Sequence, residues 1–211
     1  MTNFLILLFG VTMIYASSST RVESYIKTLS FQGVLLFLIV LGNHTWTDYI
    51  SLAFLAAETL VFKAIIIPVF MTRIVRKNGI FREVEPYIPY FYSLIFTSIM
   101  FAAGIFISFW VIDQMQSLRP VYFGVAVSVI ISGMFLIMTR KKLITHVMCY
   151  IMMENGIFLL TLSVIKEMPM IVNLGVLLDI FAAVFILGLF ATKINEAFDE
   201  MDVKSLSELK D

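Results

Sequence analysis

The chain has 211 residues, of which 60% are hydrophobic and 14% charged, with 15 basic and 15 acidic side chains that cancel. Its mean hydropathy is +0.96, whereas a soluble domain carries about 25% charged residues, so the chain reads as an all-α integral membrane protein with no sign of a nucleic-acid partner. A single cysteine, Cys149, excludes an internal disulfide and a cysteine-held metal or iron-sulfur site, and the two histidines, His44 and His146, lack metal-ligand spacing.

Apolar runs over residues 3–19, 27–43, 49–72, 89–112, 120–139, 143–165 and 169–193 are each close to the roughly 20 residues needed to cross a bilayer. The first could pass for a secretory signal, since Ala16, Ser17 and Ser18 follow it. A signal would open on a basic segment, and Met1-Thr2-Asn3 has none, so a first membrane helix is expected. Arg21 and Lys27 fall in the first loop, and Arg73, Arg76, Lys77 and Arg82 in the third. Arg140, Lys141 and Lys142 fall in the fifth, and Lys193, Lys204 and Lys210 at or after the last helix. The remaining loops hold only Arg119 and Lys166. By the positive-inside rule this bias predicts seven transmembrane helices with the amino terminus outside and the carboxyl terminus in the cytoplasm. The expected division is an N-terminal four-helix part, 1–112, and a C-terminal three-helix part with a short cytoplasmic tail, 113–211, in one continuous membrane domain.

Spans one, two, four and five hold no ionisable acid or base in their interiors and are read as scaffold. In span five Gly124, Ser128 and Ser132 recur every four residues, a small-residue stripe that admits a close neighbour. Span three carries Glu58 and Lys63, with Pro68 a turn later. Five residues on an α-helix turn side chains about 140° apart, so the two are expected to seek partners elsewhere unless the helix distorts into a structural ion pair. Pro68 predicts a kink or a water pocket near Ala64 and Ile65.

Span six opens after the basic triplet 140–142 and carries Glu154 roughly 17 Å in from Leu143. A charge at the bilayer centre costs about 2.5 to 3.5 kcal/mol on insertion scales, so this acid is a functional candidate. His146 and Tyr150 precede it at four-residue steps and share its face, to which Thr161 returns. The imidazole of His146 suits a proton acceptor at a channel mouth, although a histidine among lipid headgroups fits equally well. Asp179 in span seven lies at a depth like that of Glu154, and the short connector, Lys166 to Met168, makes the last two spans antiparallel neighbours. Two carboxylates so placed resemble a proton relay; the alternative is a pair of helix-to-helix hydrogen bonds. No phosphate-binding glycine loop, nucleophile with a base, or cofactor motif is visible. The chain is therefore expected not to be an enzyme by itself.

With Tyr150-Ile-Met-Met-Glu154-Asn155-Gly156, Leu178-Asp179 before Phe181-Ala182, Lys63 before Pro68, and the tail Ser205-x-Ser207-Glu208-Leu209, the sequence resembles the hydrogenase-4 component E family. These are membrane subunits of group 4 nickel-iron hydrogenase complexes. Its last third is similar to the K subunit (chain 4L) of NADH:quinone oxidoreductase, although Glu154 comes about one turn later from the basic loop than the K-subunit acid. The resemblance implies a non-catalytic membrane-arm subunit in the inner membrane of a prokaryote, beside antiporter-like subunits and indirectly joined to peripheral hydrogenase subunits. It also implies that nickel-iron and iron-sulfur centres lie in those partners and that no cofactor is held here. Glu154, Asp179, Glu58, Lys63, His146 and Tyr150 would contribute to a mid-membrane proton relay. A subunit of a multisubunit cation/proton antiporter, or a pure scaffold, would share these features.

Overall fold

A computed structural model describes residues 2–42, 49–77, 86–114 and 119–164. They form α1 (Thr2–Ser18), α2 (Val22–Leu41), α3 (Tyr49–Ala57), a π-helical stretch (Glu58–Ile66) that runs on into α4 (Ile67–Lys77), α5 (Tyr90–Gln114), α6 (Pro120–Thr139) and α7 (Leu143–Val164). Among the described residues, five helices are long and apolar enough to cross a membrane: Val22–Leu41, Leu52–Arg76, Tyr90–Trp110, Pro120–Thr139 and Leu143–Val164. At 17 residues, α1 is a shorter apolar helix. These six rods coincide with the first six predicted runs, while the seventh run, Asp179 and the tail lie outside the described residues.

One boundary differs from the expectation. Lys27, expected in a loop, stands inside α2, which begins at Val22. The turn from α1 is only Ser19 to Arg21, with the Ser24 N–H returning to the Arg21 carbonyl. Glu23 in the first turn suits the positive end of the helix dipole.

The bundle is built around α2 and α6. Helix α7 packs on α6 and α2; α6 also packs on α5 and α1; α2 also packs on α1 and the π-helical stretch. Small residues set the closest approaches. A Cβ at Gly124 would run into the Gly104 carbonyl and Ser108 Oγ of α5, so the expected stripe on α6 does admit a neighbour. On the opposite side of α6, Gly133 faces Met153, and Gly156 of α7 faces Val129 and Ile130. Without a hydrophobic force between helices in lipid, such packing and interhelical hydrogen bonds hold the rods together. Helix α5 turns Phe91, Ile95, Ile99, Phe106 and Phe109 outward, all exposed, a face suited to acyl chains.

Candidate functional site: a buried polar row across three helices

The π-helical stretch explains the first site pair. Its i→i+5 hydrogen bonding, carried to its end by the Ile67 N–H on the Phe62 carbonyl, brings residues five apart close to one turn of each other. Lys63 Nζ accordingly lies 3.8 Å from Glu58 Oε1, with both side chains buried. The α-helical expectation that these two face apart is thus corrected: the backbone winding changes where they stand. Lys63 Nζ also lies 5.0 Å from the centre of the Phe158 ring on α7, a cation-π contact that reaches across to the second acidic helix.

Pro68 lies just beyond this stretch. It has no N–H to give the Ala64 carbonyl, its α-helical acceptor, and Ser30 Oγ of α2 donates to that oxygen instead, at 2.8 Å. A side chain from the neighbouring helix therefore serves the carbonyl, at the place where a kink or a water pocket was expected. Helix α2 can come that close because Gly33 has no side chain: a Cβ there would meet the backbone of Lys63 and Ala64.

On α7, Glu154 is 8% exposed and Asn155 is fully enclosed. Asn155 Nδ2 donates to Gln32 Oε1 of α2 at 3.2 Å. Gln32 Nε2 in turn donates to Thr12 Oγ1 of α1 at 2.7 Å and approaches Met13 Sδ at 3.4 Å, and the Thr12 hydroxyl donates to the Phe9 carbonyl. Three helices are thus joined near their middles by a continuous line of hydrogen bonds. Helices α1 and α2, expected to be scaffold because their interiors hold no ionisable group, carry two members of this line. The available signal was a glutamine inside an apolar run, next to a glycine.

Replacing Gln32 by methionine should weaken the bundle by about 1 to 2 kcal/mol, since interhelical hydrogen bonds in membranes average about 0.6 kcal/mol with a maximum near 1.7 and the Asn155 amide would lose its acceptor. A lowered melting midpoint in detergent would show it.

His146 and Tyr150 are both half-buried on α7. His146 lies near the start of the helix, where its Nε2–H donates to the Arg140 carbonyl at 2.7 Å; the ring closes the turn into α7. Arg140 stands in the fifth loop, between α6 and α7, as expected, and its side chain is fully enclosed. Its Nη2 donates to the Ser17 carbonyl at 2.9 Å, and its guanidinium lies 5.2 Å from the Tyr90 ring centre and 6.0 Å from that of Tyr25. Cys149 is also enclosed. Thr161, half-buried, returns its hydroxyl to the Ile157 carbonyl at 3.1 Å. Among the described residues no group of three or more metal-ligating side chains occurs.

This arrangement defines a polytopic helical membrane protein with charged and polar groups gathered inside the bundle. Residues 121–211 match the family profile of NADH-ubiquinone/plastoquinone oxidoreductase chain 4L. The chain is similar to hydrogenase-4 component E of Escherichia coli K12, at 24% identity over 158 residues, covering 74% of this chain and 72% of that protein, and equally to its Shigella flexneri counterpart. It is also similar to an uncharacterised protein of Mycobacterium tuberculosis, at 27% identity over 202 residues, covering 90% and 86% of the two chains. No solved structure matches it significantly.

Proposed function

We infer that the chain is a non-catalytic membrane subunit of a hydrogenase-type or related oxidoreductase complex, and that its buried acids form part of a proton path coupled to redox chemistry elsewhere in the complex. The family match and the similarity to hydrogenase-4 component E support the class of complex. The observation that carries the coupling role is Glu154, enclosed in an apolar helix beside Asn155, which opens the hydrogen-bonded line to α2 and α1. Acids inside a membrane bundle are costly and characteristically mark ion or proton pathways. On this reading Asp179 lies on a seventh span beside α7, the amino terminus is outside, and the carboxyl terminus is in the cytoplasm of a prokaryotic inner membrane. The larger membrane partners are antiporter-like, and the nickel-iron and iron-sulfur centres belong to peripheral subunits.

Glu154→Gln separates relay from scaffold. Glutamine keeps the shape and hydrogen-bonding reach of the acid and cannot exchange its proton, so the complex should assemble in normal amount while the rate of proton translocation falls by about 10²- to 10⁴-fold, the scale on which positioned acid and base groups act. Measured in inverted membrane vesicles with a pH-sensitive dye, normal pumping by an intact Glu154→Gln complex would reject the relay role. The set of proteins that leave the membrane with this chain distinguishes the hydrogenase reading from an antiporter without redox partners. The contact between Glu58 and Lys63 favours a structural reading for those two residues, which predicts a loss of stability when either one alone is neutralised.

A further inference from the structure

A groove of about 280 Å³ runs between α1 and α2, lined by Leu8, Val11, Thr12, Tyr15, Lys27, Thr28 and Phe31. Its length, from Leu8 to Tyr15, is roughly 10 Å at 1.5 Å per helical residue, most of the depth of one leaflet of a hydrocarbon core about 30 Å thick. The wall is apolar, and the two hydroxyls in it have already given their protons away. Thr12 Oγ1 donates to the Phe9 carbonyl and accepts from Gln32, while Thr28 Oγ1 donates to the Ser24 carbonyl. A ligand seeking hydrogen-bond donors finds none along the floor; an alkyl chain finds a matched surface. At about 30 Å³ per water-sized unit, the volume accommodates about nine methylene-sized groups.

The polar end is as specific. Lys27 and Tyr15 stand where the two helices approach their shared turn, Lys27 five residues after Val22 and Tyr15 three before Ser18, and both are exposed. Lys27, within a membrane-length helix, faces outward; Glu23 stands one turn before it on the same helix, nearer the shared turn, with no ion pair formed between the two. A cation on an apolar helix near its end extends its head toward the interface, where lipid phosphates lie.

We propose that this groove is a binding site for one anionic phospholipid, with an acyl chain laid over Leu8, Val11 and Phe31 and the phosphate held by Lys27 beside the Tyr15 phenol. Each basic residue near a membrane surface contributes about 1 kcal/mol toward anionic lipid, which converts to about a fivefold preference over a zwitterionic lipid of the same tails. The test uses the protein extracted with its membrane partners in mild detergent, stripped of lipid by repeated exchange, and titrated with phosphatidylglycerol or phosphatidylcholine under native mass spectrometry. The wild type should retain one phosphatidylglycerol with that preference, Lys27→Arg should keep it, and Lys27→Gln should bring the two lipids level. Val11→Trp, which fills the groove and leaves the lysine in place, should abolish retention of both. Equal retention of the two lipids by the wild type, a preference that survives Lys27→Gln, or full retention by Val11→Trp overturns the site.

Discussion

Lys63→Met will destabilise the protein by about 3 to 5 kcal/mol, the usual cost of removing one member of a buried ion pair and leaving the other charge enclosed. Glu58→Gln together with Lys63→Met will recover most of that loss, because replacing both members by uncharged groups of similar volume is often neutral. The asymmetry follows from the geometry. The two side chains face each other at 3.8 Å on a single stretch of helix, with the ammonium against the Phe158 ring. Denaturant melts of the purified single and double variants measure it, and the coupling energy is the difference between the double variant and the sum of the singles. A coupling near zero would mean that each residue is held by other neighbours and that the π-helical winding serves another purpose. Should both variants keep full proton coupling as well, Glu58 and Lys63 leave the proposed path and remain as architecture.

The second large effect is expected at Gly33. A methyl group there would stand 2.5 Å from the Ala64 nitrogen and 2.7 Å from Ala64 Cα and the Lys63 carbonyl carbon. All three are backbone atoms, which have no rotamer to escape into, so α2 itself would have to withdraw. Overpacking costs about 1 to 3 kcal/mol even where side chains can adjust, so Gly33→Val should reach or exceed the top of that range and also break the Ser30 bond to the Ala64 carbonyl. Gly42→Ala is the control. Its added carbon meets the Thr2 Cγ2 methyl at 2.8 Å, the far end of a side chain that can turn aside. Melting midpoints of the two variants in the same detergent decide the matter, and equal midpoints would show that the helices are not held at the described spacing.

Much of the architecture could be read from hydropathy alone, because an apolar run of membrane length leaves few choices for its backbone. The enclosure of Glu154 and the close approach at Gly124 followed from helical spacing in the same way. The winding around Glu58 and Lys63 did not. A π-helical stretch leaves no periodic mark in so uniformly apolar a segment, and without it the angular argument runs on the wrong pitch. Gln32 stands apart for a different reason: an amide does not ionise and so is not marked as a proton-carrying candidate, and its role depends on a partner 123 positions away. Arg140 falls in the basic loop where the charge pattern puts it, but its enclosure depends on distant parts of the chain. Two tyrosine rings and a serine carbonyl supply the surroundings that let it lie inside.

Within four residues, α2 commits three positions to different neighbours: Ser30 and Gly33 to the π-helical stretch, and Gln32 to α1 and α7. A helix keyed on several sides cannot swivel or slide like a piston, since turning it by one residue would unlatch every key together. Its neighbours must travel with it as a single block, and any large relative movement within the protein falls to elements gripped less tightly.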